Sequence, residues 1–279
     1  MEISRRDVDL DLDVTAIPRD WADDDAYSTT FLNALSMLFP EGERFFVETV
    51  KRLKHHAATP ELREQVAGFI GQEAMHGREH RAFNELLVAH GYTQAPSVDR
   101  FLRWLLFRCA RRMSARSQLA VTCALEHFTA MLAEQTLETA SIRDGIHPAV
   151  RPLWVWHCLE EAEHKAVAFD VYRAAGGGYL RRIALMMLTS VLFVTVQAGL
   201  HARLMWSRGI LWKPWRWLRG IRIMWIWPGN FTRLVPRYFS YYRPGFHPND
   251  RDTSALVATW REKLFGLAGT IRERAPAVA

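Results

Sequence analysis

The sequence predicts an all-α protein: a bundle of four long helices followed by a helical lobe of different composition. Three observations predict it. Apolar residues recur at helical spacing through most of the first 175 positions, and no stretch alternates with the strand period for long enough to matter. Thr59, Pro60 and Gly91 stand where a long helix needs its N-cap, its first residue and its C-terminal stop. Charge then divides the chain. From Val171 to Asn249 there is no Asp or Glu but twelve Lys or Arg, against 24 basic and 30 acidic residues elsewhere. The net charge of +6 therefore conceals an acidic bundle and a basic lobe.

Taken in order, residues 1–26 form an acidic arm in which Asp7, Asp9, Asp11 and Asp13 alternate with apolar residues. It has no apolar core of the kind a signal peptide needs and reads as an extended tail, solvated or partly docked. The bundle spans residues 27–175. Its first helix begins near residue 27, is interrupted by Pro40 and Gly42, and resumes to about His56. The second runs from Thr59 to Gly91. A basic helix over residues 97–112 links it to the third, and this link is the longest in the bundle. The third helix covers about 115–141 and the fourth about 148–173. Gly176-Gly177-Gly178 closes the bundle as a flexible break. A lobe over 179–249 follows, then a tail over 250–279 with an amphipathic helix marked by Leu256, Trp260, Leu264 and Leu267. Cys109, Cys123 and Cys158 are scattered, which argues against a disulfide scaffold or zinc ribbon and suits a reducing compartment.

The chemistry is carried by the inward stripes of the helices. Glu161 and His164, three apart, share one helix face, and His157 joins it a turn earlier. Glu73 and His76 repeat the spacing, with His80 one turn further. Eleven His at a Glu frequency of 17 in 279 give about 0.7 chance pairs, so the pairs alone prove little. Their context carries more. Each lies mid-stripe among apolar residues, where an unpartnered charge is costly. Two further helices each offer one Glu in such a stripe: Glu43, with Phe46 and Val50, and Glu126, with Leu119, Cys123 and Ala130. The order Glu, Glu-x-x-His, Glu, Glu-x-x-His is the ligand set of carboxylate-bridged dinuclear helical bundles.

Four segments carry a resemblance: Phe39-Pro40-x-Gly42-Glu43-x-x-Phe46, Gln72-Glu73-x-x-His76-x-x-x-His80, Leu125-Glu126-His127-Phe128-Thr129, and Trp156-His157-x-x-Glu160-Glu161-x-Glu163-His164-Lys165. They resemble a bacterial family labelled predicted metal-dependent hydrolase, and the pattern is similar to the wider ferritin-like superfamily. That resemblance implies a ferritin-like four-helix bundle holding a pair of metals. The expected ligands are Glu43, Glu73, His76, Glu126, Glu161 and His164. His80, His157 and Glu160 depart from the superfamily pattern and stand either as further ligands or as hydrogen-bond partners of ligands. His127 lies about 100° round its helix from Glu126 and is expected outside the ligand set. Lys165 and Asp170 stand either as an outer pair or as simple helix-end charges.

Four carboxylates and two or more imidazoles form a hard nitrogen-and-oxygen donor set, suited to two Fe ions, with Mn or mixed Fe/Mn as variants. Such a site activates dioxygen and oxidises a bound substrate. The alternatives are a hydrolase working through a metal-bridged hydroxide and a metal-binding membrane module without turnover. The lobe bears on the substrate. Ile183–Leu200 is an uncharged, mostly apolar run at the threshold for a membrane span. Six of the eleven Trp follow it, interleaved with Arg and Lys, the composition a headgroup zone favours. We therefore expect association with the cytoplasmic side of the inner membrane and a hydrophobic or lipid substrate. A homodimer burying the Trp is the competing expectation. Nucleic acid is not expected, because no binding motif accompanies the basic charge.

Overall fold

The computed structural model describes residues 2–274, and helices make up most of them. The first, α1, is Ala26–Leu53, opened by the Asp25 carboxylate accepting from the Ser28 N–H. It runs unbroken through Pro40, where the sequence predicted an interruption. Proline cannot donate to the carbonyl four residues back, here Ser36. The Asn84 side-chain amide donates to that carbonyl instead, at 3.1 Å. The helix thus continues with Asn84, from the next helix in the chain, supplying the missing donor.

Helix α2, Pro60–Leu86, is capped by the Thr59 hydroxyl and ends in a 3₁₀ turn, Leu87–His90, closed by Gly91 at φ 87°. The crossover begins as α3, Ala95–Leu102, and continues as a π-helical stretch, Arg103–Cys109, and a 3₁₀ turn rather than as one α-helix. Helix α4 is Ala115–Glu138, and a short α5, Ala140–Asp144, leads to α6, Arg151–His164. The fourth bundle helix is not continuous: it breaks at Lys165-Ala166 and resumes as α7, Val167–Ala174. Helices α1 and α2 pack as one hairpin and α4 and α6 as another, with α1 also on α4 and α2 on α6 and α7.

The lobe is packed on this bundle. Helix α8, Tyr179–Ser207, lies along both α4 and α1. Its Leu200 and Leu204 join a core with Phe83, Leu153 and Trp156. Met186, Tyr241 and Phe246 join the other core, with Phe69, Leu119 and Val171. Each such buried Leu or Phe contributes about 1.5–3 kcal/mol, the driving force that offsets burial of the charges between the two cores. Helices α9, Leu218–Met224, and α10, Val235–Ser240, complete the lobe; α11, Ser254–Phe265, packs on α6. Residues 275–279 of the expected tail lie outside the described residues.

The N-terminal arm is docked rather than solvated. Val8–Asp9, strand β1, pairs antiparallel with Arg272–Glu273, strand β2. Further back, the arm lies on α2, where a Cβ at Gly68 would meet the carbonyl oxygen of Ile3 at 2.0 Å. Only glycine permits that approach.

Candidate metal centre

Glu43, Glu73, His76, Glu126, His157, Glu161 and His164 converge between the two hydrophobic cores, none more than 5% exposed. They form two groups whose ligating atoms lie within 4.8 Å of one another: Glu43, His76 and His157, and Glu73, Glu161 and His164. Glu126 borders the second group, its Oε2 3.7 Å from His164 Nε2. Glu161 Oε1 stands between the groups, 3.0 Å from His157 Nε2, 3.5 Å from His76 Nδ1 and 3.7 Å from His164 Nε2.

Hydrogen bonds behind the histidines fix which nitrogen each presents. Ser36 Oγ donates to Asn84 Oδ1 at 2.8 Å, so it accepts from His80 Nδ1–H at 2.9 Å. His80 Nε2 is then bare and accepts from His157 Nδ1–H at 2.7 Å. His157 Nε2 is left as a lone pair facing Glu161 and, at 3.7 Å, Glu43 Oε1. The Gln72 amide nitrogen donates to the Ser4 carbonyl and to Glu163, so its oxygen accepts from His164 Nδ1–H at 2.8 Å. His164 Nε2 is the bare atom, 3.0 Å from Glu73 Oε1. His76 Nε2–H donates to Glu160 Oε2 at 3.1 Å, which leaves Nδ1 bare. In the neutral tautomers that these bonds select, three imidazole nitrogens face carboxylate oxygens in a water-poor interior, an arrangement that a proton or a metal cation between them makes favourable.

The orphaned atoms agree. Both oxygens of Glu43, Glu73 and Glu126, Glu161 Oε2, His76 Nδ1 and His164 Nε2 are buried with no hydrogen-bond partner among the described residues. Other buried side chains also leave single polar atoms unpaired, but every orphaned carboxylate oxygen among the described residues lies at this focus. Burial raises the Glu43 and Glu126 carboxyls well above the ordinary range, with neighbouring carboxylates adding to the shift, and raises Glu73 as well. Burial opposes charge on His76, but Glu160 and Glu161 overcome it and lift the ring to about 10. Burial likewise opposes charge on His164, and Glu161 and Glu73 carry it well up. Glu161 is held well below its usual range despite burial, first by the charge that His164 takes up in the metal-free chain, with His157 and His76 close by adding to it. His157, lowered to about 4 by burial and the neighbouring His76, stays neutral, the form of imidazole that a metal binds. The residues therefore fit a metal cofactor in donor type, in orphaned atoms and in charge, since four carboxylates gathered in the interior call for positive charge between them.

Of the three histidine and glutamate positions left open by the sequence, His157 joins a group that could hold a metal ion. His80 stands behind it as hydrogen-bond acceptor, and Glu160 stands behind His76. His127 is neither ligand nor surface: it is packed against Tyr241 and Phe246, with Nε2 3.2 Å from the Arg237 carbonyl. Lys165 and Asp170 do not pair with each other. Lys165 Nζ donates to Glu134 at 2.7 Å, and Asp170 pairs with His247 at 2.8 Å, since residues five apart stand about 140° round a helix. Sequence reasoning missed Gln72, Ser36 and Asn84, which set the tautomers, and Arg6. Gln72 adjoins Glu73 in a quoted motif and could have been flagged; Arg6 gave no local signal, since its partners lie on α6.

Glu43, His157 and Glu161 also form part of the wall of a cavity of about 320 Å³. The rest of the wall is largely apolar, including Phe39, Phe46, Leu125, Phe128 and Leu132, and it continues through Leu188, Leu192, Phe193 and Val196 of α8. Thr129, Thr136 and Asn230 are among its few hydrogen-bonding side chains.

Fold and site define a class: an all-α protein whose helices hold a buried carboxylate–histidine centre built for metal, beside an apolar chamber. The chain belongs to the family described as predicted metal-dependent hydrolase, whose model matches residues 4–252. That span covers the lobe as well as the bundle. Neither a curated protein nor a solved structure matches the chain.

Proposed function

We propose that this protein is a dinuclear metalloenzyme acting on a long apolar substrate lodged in the chamber beside its metal centre. The observation that supports this reading is the double membership of Glu43, His157 and Glu161, which belong both to the ligand groups and to the chamber wall. Glu43, His76 and His157 would hold one ion, and Glu73, Glu126 and His164 the other, with Glu161 between them. Such ions, when bound, supply Lewis acidity and a more acidic water for hydrolysis, or electrons for oxidation by dioxygen. The chain's own residues do the rest. Phe39, Phe46, Leu125, Phe128 and Leu132 exclude bulk water and align an alkyl chain by packing. Thr129 and Thr136 offer hydroxyls that can orient a single polar group on it.

The family description favours hydrolysis of an ester or related bond in such a molecule. The donor set favours a second reading, oxidation by dioxygen, because four carboxylates with three imidazoles suit Fe or Mn. Purified protein should be analysed for metal and then loaded anaerobically with Fe(II), Mn(II) or Zn(II). Release of p-nitrophenol from esters of increasing chain length is expected under hydrolysis, and dioxygen uptake stimulated by an alkyl substrate under oxidation. Protein that binds about two ions yet does neither, and binds no alkyl ligand, is a metal-holding module, and the enzyme reading is then wrong.

A further inference from the structure

We propose that the outward face of α8, with the Trp-rich loops after it, docks on an anionic lipid bilayer, and that the chamber opens on that face. Helix α8 spans 29 residues, about 43 Å at 1.5 Å per residue. It is long and apolar enough to cross a membrane, yet it lies on the bundle with 22% of its most apolar stretch buried. Its inward side carries Arg182, Met186, Thr189, Gln197, Leu200 and Leu204. Its outward side carries Met187, Leu188, Val191, Leu192 and Val194, between 42% and 65% exposed. Trp206 near the end of α8 and Trp212, Trp215 and Trp227 in the loops after it are each at least 66% exposed. Isolated exposed apolar residues are ordinary; five on one side of a helix, followed by four exposed Trp, mark an interaction site.

Charge selects the occupant. Of the twelve cations between Val171 and Asn249, Arg208, Arg237 and Arg243 pair with Asp20, Glu138 and Asp250. Arg182 is spent inside, donating to the carbonyls of Arg243 and Phe246. Arg203, Lys213, Arg216, Arg219, Arg222 and Arg233 are exposed and form no ion pair among the described residues. They alternate with the exposed Trp. A second copy of this chain would set these cations against one another, a repulsion that an apolar interface does not relieve. Anionic headgroups neutralise them while Trp rings settle at the interface and the α8 side chains enter the acyl region.

Leu188 and Leu192 belong both to this outer face and to the chamber wall. The chamber therefore reaches the surface where the lipid would lie. An apolar substrate would pass from acyl chains to the metal centre without crossing water. The docking surface is independent of the enzyme reading; only this last step rests on it.

Flotation of metal-loaded, full-length protein with phosphatidylcholine vesicles, with and without phosphatidylglycerol, tests the proposal. Flotation with the anionic vesicles is expected, weakening with salt. The variant R216E/R219E/R222E should lose about fivefold in partitioning for each cation removed. V191E/V194E, on residues outside the chamber wall, should abolish binding while retaining helix content and metal. Wild-type protein that stays with the aqueous phase on anionic vesicles would falsify the proposal. So would equal partitioning to neutral vesicles with no effect of R216E/R219E/R222E. A dimer by light scattering that V191E/V194E dissociates, without vesicle binding, makes the face a self-interface instead. Calorimetry with decanol in the absence of vesicles separates the readings: if decanol binds but vesicles do not, the chamber stands and the docking falls.

Discussion

Arg6 Nη1 donates to Glu160 Oε1 at 2.8 Å across 154 residues of sequence, and Glu160 Oε2 in turn accepts from His76 Nε2 at 3.1 Å. The same guanidinium binds Glu163 through both terminal nitrogens at 2.9 Å. The arm thereby reaches two candidate ligands: His76 through Glu160, and His164 through Gln72, which donates to both the Ser4 carbonyl and Glu163. Arg6→Ala should lower metal affinity about 10–100-fold, as loss of a ligand's hydrogen-bond partner does elsewhere. Stability should fall by about 3 kcal/mol, near the low end for a broken buried pair, because Arg261 still reaches Glu163. Chelator competition measures the first and denaturant unfolding the second. Unchanged metal affinity would reduce the arm to a purely stabilising strap.

Removing metal should destabilise the protein more at pH 8 than at pH 5.5. Glu43, Glu73 and Glu126 have carboxyls raised by burial, so without cations the folded chain holds their protons to higher pH than the unfolded chain does. Stability of the metal-free form then falls as pH rises through that window. Metal-loaded protein has cations in place of those protons and escapes the loss. Melting curves with and without chelator at the two pH values check this. Glu126→Gln should raise the melting temperature of metal-free protein, by about 1–3 kcal/mol in stability, while lowering metal content. A fall in both would mean that Glu126 is tied to packing instead.

His157 and His80 should separate by experiment. His157→Ala removes a ligand and should lower the number of ions bound per chain. His80→Ala removes the acceptor of His157 Nδ1–H and should leave the number unchanged while weakening affinity about 10–100-fold. Elemental analysis gives the count and competition the affinity. Identical behaviour of the two variants would contradict the tautomer chain running from Ser36 through His80.

Gly42 lines the chamber within α1, and a Cβ built there meets nothing within 4 Å. Gly42→Ala should stabilise the protein by about 0.5–1 kcal/mol through helix propensity. Gly42→Leu should fill the chamber, abolish decanol binding by calorimetry and leave metal content intact. Decanol binding that survives Gly42→Leu would place the apolar ligand elsewhere.

The sequence by itself determined the helical class, most helix limits, the division of charge and the residues worth watching. Those features are local. A helical stripe, a Thr59-Pro60 cap, a Gly91 stop and the i, i+3 spacing of Glu73–His76 and Glu161–His164 are set within one or two turns. Tertiary structure alone decided what each watched residue does. Pro40 reads locally as a helix break, and only Asn84, on another helix, satisfies the Ser36 carbonyl and lets α1 continue. His157 and His80 are equivalent by spacing; hydrogen bonds from α1 and α2 set one at the ligand focus and the other behind it. Arg6 looked like part of a charged tail, and its partners are 154 and 157 positions away. A tautomer, a buried ion pair and a cavity wall are properties of atoms brought together by packing, and helical periodicity carries no information on which helices will meet.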